Sequence, residues 1–153
     1  MHNDILKYLP YQSTFRFVDN ILNIDENGVT GDYTLKKDSF FYEDHFVGNP
    51  VTPGVIITEI MAQTGLVVLG IYLLKKEKQP EEGSAQLFPL LTASHVQFYK
   101  MVLPEEKVTV ISKKEYFRFG KLKCFVEMLN ERNELVADGT FSGIIKTTAI
   151  KNH

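Results

Sequence analysis

Residues 40–65 read FFYEDHFVGNPVTPGVIITEIMAQTG. Gly48, Pro50, Pro53 and Gly54 punctuate the first half, so it is a loop with few allowed backbone shapes. After Pro53-Gly54 the texture changes. From Val55 to Leu74 the chain is almost wholly apolar and carries no Pro, which predicts one long buried helix. A helix that is apolar on every side must be covered on every side, so the rest of the chain has to wrap it.

Two ionisable residues break this pattern. His45 lies in the loop, and Glu59 lies inside the apolar helix with Gln63 four residues on. At that spacing Glu59 and Gln63 share a helix face. A carboxyl among apolar neighbours is costly. Burial raises its pKa and favours the protonated form near neutral pH. A neutral His and a protonated Glu make a base and an acid.

The flanks read as strands and turns. Phe15 to Ile24 and Val29 to Leu35 form a hairpin around the turn signal Asp25-Glu26-Asn27-Gly28. Val29, Gly31, Tyr33 and Leu35 fall on one face of the second strand. Residues 75–84, rich in Lys and Glu, read as a solvated connector. Leu87 to Phe98 is a further strand. Lys107 to Phe117, Lys121 to Leu129 and Glu134 to Ile145 form an antiparallel meander. One long helix against such a sheet is α+β.

Composition narrows the function. The chain has 153 residues, read as one domain over 1–153, and a formal net charge of −2, which gives no general attraction to nucleic acid or an anionic membrane. The longest unbroken apolar run, Gly65 to Leu74, is shorter than a bilayer span. Polar residues near the N-terminus argue against a secretion signal, so the expected location is cytoplasmic. The single cysteine, Cys124, excludes an internal disulfide and a multi-Cys zinc site. It alternates with Leu122, Val126 and Met128, as a buried thiol would. His95 has no second ligand at metal spacing, so no metal is expected, and His2 has no role in this reading.

His45-Phe46-Val47-Gly48, Pro50, Pro53-Gly54-Val55, Glu59 and Met61-Ala62-Gln63 resemble the signature of the 3-hydroxyacyl-acyl carrier protein dehydratases, which have the hotdog fold. Leu9-Pro10-Tyr11-Gln12 partly matches that family's Leu-Pro-His-Arg motif. The His-to-Glu separation of fourteen fits, and Glu at position 59 resembles the branch that dehydrates without isomerising. Asp44 stands where the family usually has Gly, and Val47 where it usually has Pro. A carboxylate beside the base would raise the His45 pKa; alternatively Asp44 points to solvent, since adjacent side chains in an extended loop diverge, and on either reading it tunes the site rather than supplying the chemistry.

The resemblance implies a curled antiparallel sheet wrapped around one central helix. It implies a hydro-lyase that converts 3-hydroxyacyl-acyl carrier protein thioesters to trans-2-enoyl thioesters in fatty acid or related lipid or polyene biosynthesis, with no cofactor. His45 and Glu59 would be catalytic. Gly54, Val55, Gln63 and Phe46 would contact substrate, with the Gly54 N–H on the thioester carbonyl and Gln63 orienting Glu59. The site would be shared across a homodimer or an assembly of dimers. Lys100, Arg118, Lys121 and Lys123 would form a basic patch for an acidic acyl carrier protein. A hotdog thioesterase and a non-catalytic acyl-binding partner subunit stand as alternatives.

Overall fold

The structure is a computed structural model that describes residues 2–77 and 85–149. The chain opens with two short 3-10 turns, His2–Tyr8 and Ser13–Phe15. Strands β1, Asn20–Asp25, and β2, Gly28–Thr34, form the expected hairpin. Phe15 to Asp19, expected as strand, lies outside β1. Phe15 closes the second 3-10 turn, and the Asp19 N–H donates to the Asp32 carbonyl at 2.9 Å. Val29, Gly31, Tyr33 and Leu35 are all buried, as their alternation requires.

The central helix runs from Gly54 to Glu77 in three parts. These are α1, Gly54–Ala62, a π-helical segment, Gln63–Val68, and α2, Leu69–Glu77. All six residues of the π segment are buried. Ser112 donates its hydroxyl to the Gly65 carbonyl at 2.8 Å, which gives one carbonyl of the widened turn a partner from the sheet. The helix is 24 residues long and apolar enough to cross a bilayer by length and composition. This corrects the expectation drawn from the shorter run Gly65 to Leu74. Yet 78% of its most apolar window is buried inside the fold, so here it serves as a core helix.

After the helix come β3, Ala85–Phe98, β4, Lys107–Arg118, β5, Lys121–Leu129, and β6, Leu135–Ala149. Lys75, Lys76 and Glu77 of the expected connector belong to the helix, and residues 78–84 of it lie outside the described residues. The strands form one antiparallel sheet in the order β1-β2-β4-β5-β6-β3. The meander β4-β5-β6 is as expected. The pairing of β2 with β4 and of β3 with β6 joins segments far apart in sequence, which local periodicity does not report.

The helix packs on β2, β4, β5 and β6, so the sheet curls round it. Strand β5 shows how: Leu122, Cys124, Val126 and Met128 all point inward and are almost fully buried. Burial pushes the Cys124 thiol pKa up to about 11, so it stays protonated and inert.

The fit between helix and sheet is tight at Gly65. A Cβ there would lie 2.9 Å from both Val126 methyls and 3.3 Å from Ser112 Cβ. Gly65→Val should therefore destabilise the fold by about 1–3 kcal/mol, the usual cost of overpacking. A denaturant titration reads this, and an unchanged midpoint would mean that the helix is not pressed against β5 there.

Candidate active site

Gln63 is fully buried. Its Oε1 accepts from the Phe17 N–H at 2.8 Å. Its Nε2 donates to the Phe15 carbonyl at 2.8 Å and to Glu59 Oε2 at 2.9 Å. Gln63 thus ties the N-terminal segment to the helix and fixes one oxygen of the Glu59 carboxyl. The expected shared face of Glu59 and Gln63 is a direct bond.

Glu59 is half-buried, with Ile57, Ile60 and Met61 beside it at 3%, 0% and 0% exposure. Burial raises its pKa above the ordinary carboxylate range, and the Gln63 hydrogen bond partly opposes this. Glu59 borders a cavity of about 200 Å³. The wall is otherwise almost wholly apolar, with Ala62, Leu66 and Gly70 from the helix and Leu90 and Ile145 from the sheet. Tyr11 and Phe15 close it beside Glu59. Burial and the nearby Glu59 charge raise the Tyr11 pKa, so its phenol stays neutral.

His45 is set by the loop. Residues 40–48 form a run of turns, not the extended chain expected around Asp44. The Phe46 and Asn49 backbones exchange two hydrogen bonds, at 3.0 and 2.9 Å, across Gly48 at φ +69°, a conformation that glycine adopts freely. The Val51 N–H returns to the His45 carbonyl at 2.9 Å. His45 Nδ1 lies 2.8 Å from the Val51 carbonyl. A carbonyl only accepts, so Nδ1 carries the hydrogen, and in the neutral ring Nε2 is the free lone pair. Phe46 stacks on the imidazole, with ring centroids 3.9 Å apart. Asp44 is exposed.

Gly54 opens the helix. The Ile56 and Ile57 N–H groups both donate to the Pro53 carbonyl. The Gly54 and Val55 N–H groups precede any carbonyl an α-helix could offer them, and the helix dipole adds positive potential there. The Phe98 ring covers this end, since a Cβ on Gly54 would sit 3.4 Å from its nearest atom. Val55 is 77% exposed.

The expected residues therefore fall into separate groups within one chain. Glu59 and Gln63 meet directly, as do His45 and Phe46. His45 is not among the described residues that line the Glu59 cavity. The basic residues do not form one patch. Arg118 and Lys121 face each other across the β4–β5 turn, and Lys123 lies 3.5 Å from Glu115. Lys100 follows β3 at the other end of the sheet, 3.4 Å from Glu134. This corrects their expected grouping: β3 pairs with β6 from Phe98–Ala137 at one end to Ala85–Ala149 at the other, and the hairpin lies nearer the latter.

Residues 9–139 match the FabA-like domain. The chain belongs to the FabA-like family. It is 34% identical over 147 residues to the 3-hydroxyacyl-[acyl-carrier-protein] dehydratase FabZ of Caldicellulosiruptor saccharolyticus, across 93% of this chain and 96% of that one. It is 34% identical over 145 residues to the FabZ of Rhizobium etli, across 93% and 86%. Among solved structures, the dehydratase heterocomplex ApeI:P from Xenorhabdus doucetiae matches with a TM-score of 0.75 at 18% identity, across 93% and 90%. A hypothetical thioesterase with coenzyme A from Streptococcus pneumoniae matches with a TM-score of 0.63 at 13% identity, across 97% and 99%. These two structures share the fold, the α+β hotdog arrangement of a curled sheet around one helix.

In this FabA-like chain, sequence reasoning passed over Tyr11, Phe15 and Phe98 as site residues. Tyr11 lies within a recognisable motif segment, but the bonds of Gln63 to the Phe15 carbonyl and the Phe17 N–H are what tie that segment to the helix beside Glu59. Phe98 reaches Gly54 through the β3 strand alone.

A carboxyl whose pKa is higher in the folded protein than in the unfolded chain stabilises the fold below its unfolded pKa. That contribution is lost as pH rises through the folded value. Wild-type protein should therefore lose stability relative to Glu59→Gln as pH climbs out of the ordinary carboxylate range. Denaturant midpoints at a series of pH values check this. A wild type that gains on Glu59→Gln over that window would contradict the burial of Glu59.

Proposed function

We propose that this chain dehydrates 3-hydroxyacyl-acyl carrier protein thioesters to trans-2-enoyl thioesters, as a hydro-lyase of fatty acid or related biosynthesis. The observation that carries the reading is the Glu59 carboxyl, held by Gln63 at one end of an apolar cavity with its pKa raised. Such a carboxyl holds a proton to give and sits where an acyl chain can lie.

The reaction uses the site as follows. The Gly54 N–H receives the thioester carbonyl oxygen and stabilises the negative charge that grows there. His45 Nε2 takes a proton from C2. The C3–O bond breaks as the C2–C3 double bond forms. Glu59 gives its proton to the departing hydroxyl, which leaves as water. The resulting imidazolium and carboxylate return to their starting forms by proton exchange with water. Val55 and Phe46 flank the thioester end. Gln63 acts through Glu59, by holding it.

His45 and Glu59 would come from two copies of the chain. Strand β3 supports this: it is a sheet edge fourteen residues long, with Phe88, Leu90 and Leu91 exposed at 39%, 48% and 47%. A long apolar edge is a template for pairing with another strand. Val47 and Met101 are also exposed, at 89% and 70%, close in sequence to His45 and Phe98. The carrier protein would approach the Gly54 end, where Lys100 lies. The hairpin cations Arg118, Lys121 and Lys123 sit at the other end of the sheet and are less suited to it. The protein would act in the cytoplasm, with no metal or redox cofactor.

His45→Ala and Glu59→Gln should each lower the rate of enoyl thioester formation by ~10²–10⁴-fold, the usual worth of a positioned acid or base. Mixing the two inactive variants should restore part of the activity, because a hybrid dimer holds one intact site. Enoyl absorbance follows the reaction, and thiol release is assayed beside it. Thiol release without enoyl formation would make the protein a thioesterase. Near wild-type rates in both variants would overturn the mechanism.

A further inference from the structure

The cavity that starts at Glu59 follows the central helix past Ala62, Leu66 and Val67 to Gly70. Eleven residues of helix at no more than 1.5 Å each give at most about 16 Å, less across the π segment, and an extended chain advances ~1.2 Å per bond (a peptide residue of three bonds spans about 3.3–3.6 Å), so at most about a dozen carbons fit between Glu59 and Gly70. Glu59 must meet the C3 hydroxyl, so it is the remainder of the acyl chain that runs toward Gly70.

Gly70 is the last helix residue on the cavity lining, and the sheet comes close to it there. A Cβ there would lie 2.8 Å from Ile145 Cδ1, 3.6 Å from Ile145 Cγ1 and 3.6 Å from Leu122 Cδ2. The absence of a side chain at Gly70 is what lets Ile145 and Leu122 approach the helix. Both also border the cavity. Their positions come from neighbouring strands, Leu122 on β5 and Ile145 on β6. Ile145 presents only the flexible end of its side chain to the helix. Its rotamer or its size therefore decides how far the cavity reaches.

We propose that Ile145, seated against Gly70 and Leu122, is the wall that sets the length of acyl chain this protein accepts. The inference rests on the reading of the chain as a 3-hydroxyacyl thioester dehydratase and adds a limit on its substrates. Ile145→Ala removes the wall and lengthens the cavity. Gly70→Ala adds a methyl where 2.8 Å is available, pushes the end of Ile145 into the free space and shortens it.

The test measures kcat/KM on 3-hydroxyoctanoyl and 3-hydroxyhexadecanoyl carrier-protein thioesters, taken as a ratio of long to short. One methylene of fit or misfit in an apolar pocket is worth about 10–200-fold. Ile145→Ala should raise the ratio about tenfold, and Gly70→Ala should lower it by a similar factor. Ile145→Val, a milder truncation, should move the ratio the same way as Ile145→Ala and covers the case in which the larger change unfolds the protein. A ratio within about twofold of wild type in folded Ile145→Val and Gly70→Ala overturns the proposal. Calorimetric affinities for the saturated octanoyl and hexadecanoyl pantetheine thioesters give the same ratio without turnover. A protein that makes no enoyl product while those affinities shift as expected keeps the chain-length wall and loses the dehydratase reading.

Discussion

Gln63 spends its whole side-chain amide on three partners at 2.8, 2.8 and 2.9 Å. Two are backbone groups of the N-terminal segment, and the third is the Glu59 carboxyl. The buried Phe17 N–H would be costly to leave unpaired. The bond to Glu59 also works against the desolvation that raises its pKa. One buried amide therefore ties the N-terminal segment to the helix and orients the Glu59 carboxyl.

The rest of the fold serves that arrangement. The sheet covers the helix closely enough that a Cβ at Gly65 would press on both Val126 methyls, and one at Gly70 on the end of Ile145. Beside Glu59, Ala62, Leu66 and Gly70 of the helix and Leu90 and Ile145 of the sheet border a narrow apolar space. His45, the proposed base, is held differently. His45 belongs to a turn-rich loop, and its tautomer is set by the Val51 carbonyl rather than by any group near Glu59. Glu59 and His45 are each placed by their own local hydrogen bonds, so within one chain neither depends on the other for its position.

The contact between Glu59 and Gln63 was legible in the residues themselves. A Glu in an apolar helical run is an expense that local sequence displays, and a Gln four residues on lies within its reach by helix geometry alone. The same holds for the buried face of β2, the buried alternation of β5 and the β4-β5-β6 meander, because each follows from periods of two or from short turns. The hairpin β1-β2 was also legible. Its true start at Asn20 was not, because the residues before it take their hydrogen bonds from distant partners.

Only the folded chain decided the rest. The π segment at Gln63–Val68 depends on how the helix meets β4, and Ser112 lies 47 residues from the carbonyl it serves. Tyr11 borders the Glu59 cavity, and Gln63 ties its segment to the helix through the Phe15 carbonyl 48 residues away. The edge position of β3 comes from its pairing with β6, and Lys100 parts from the hairpin cations because that pairing puts them at opposite ends. Amino-acid order determines which residues share a helix face or a strand face, since those contacts recur within a few residues. Which faces then meet is settled by long-range pairing and close packing, and a local pattern carries no record of either.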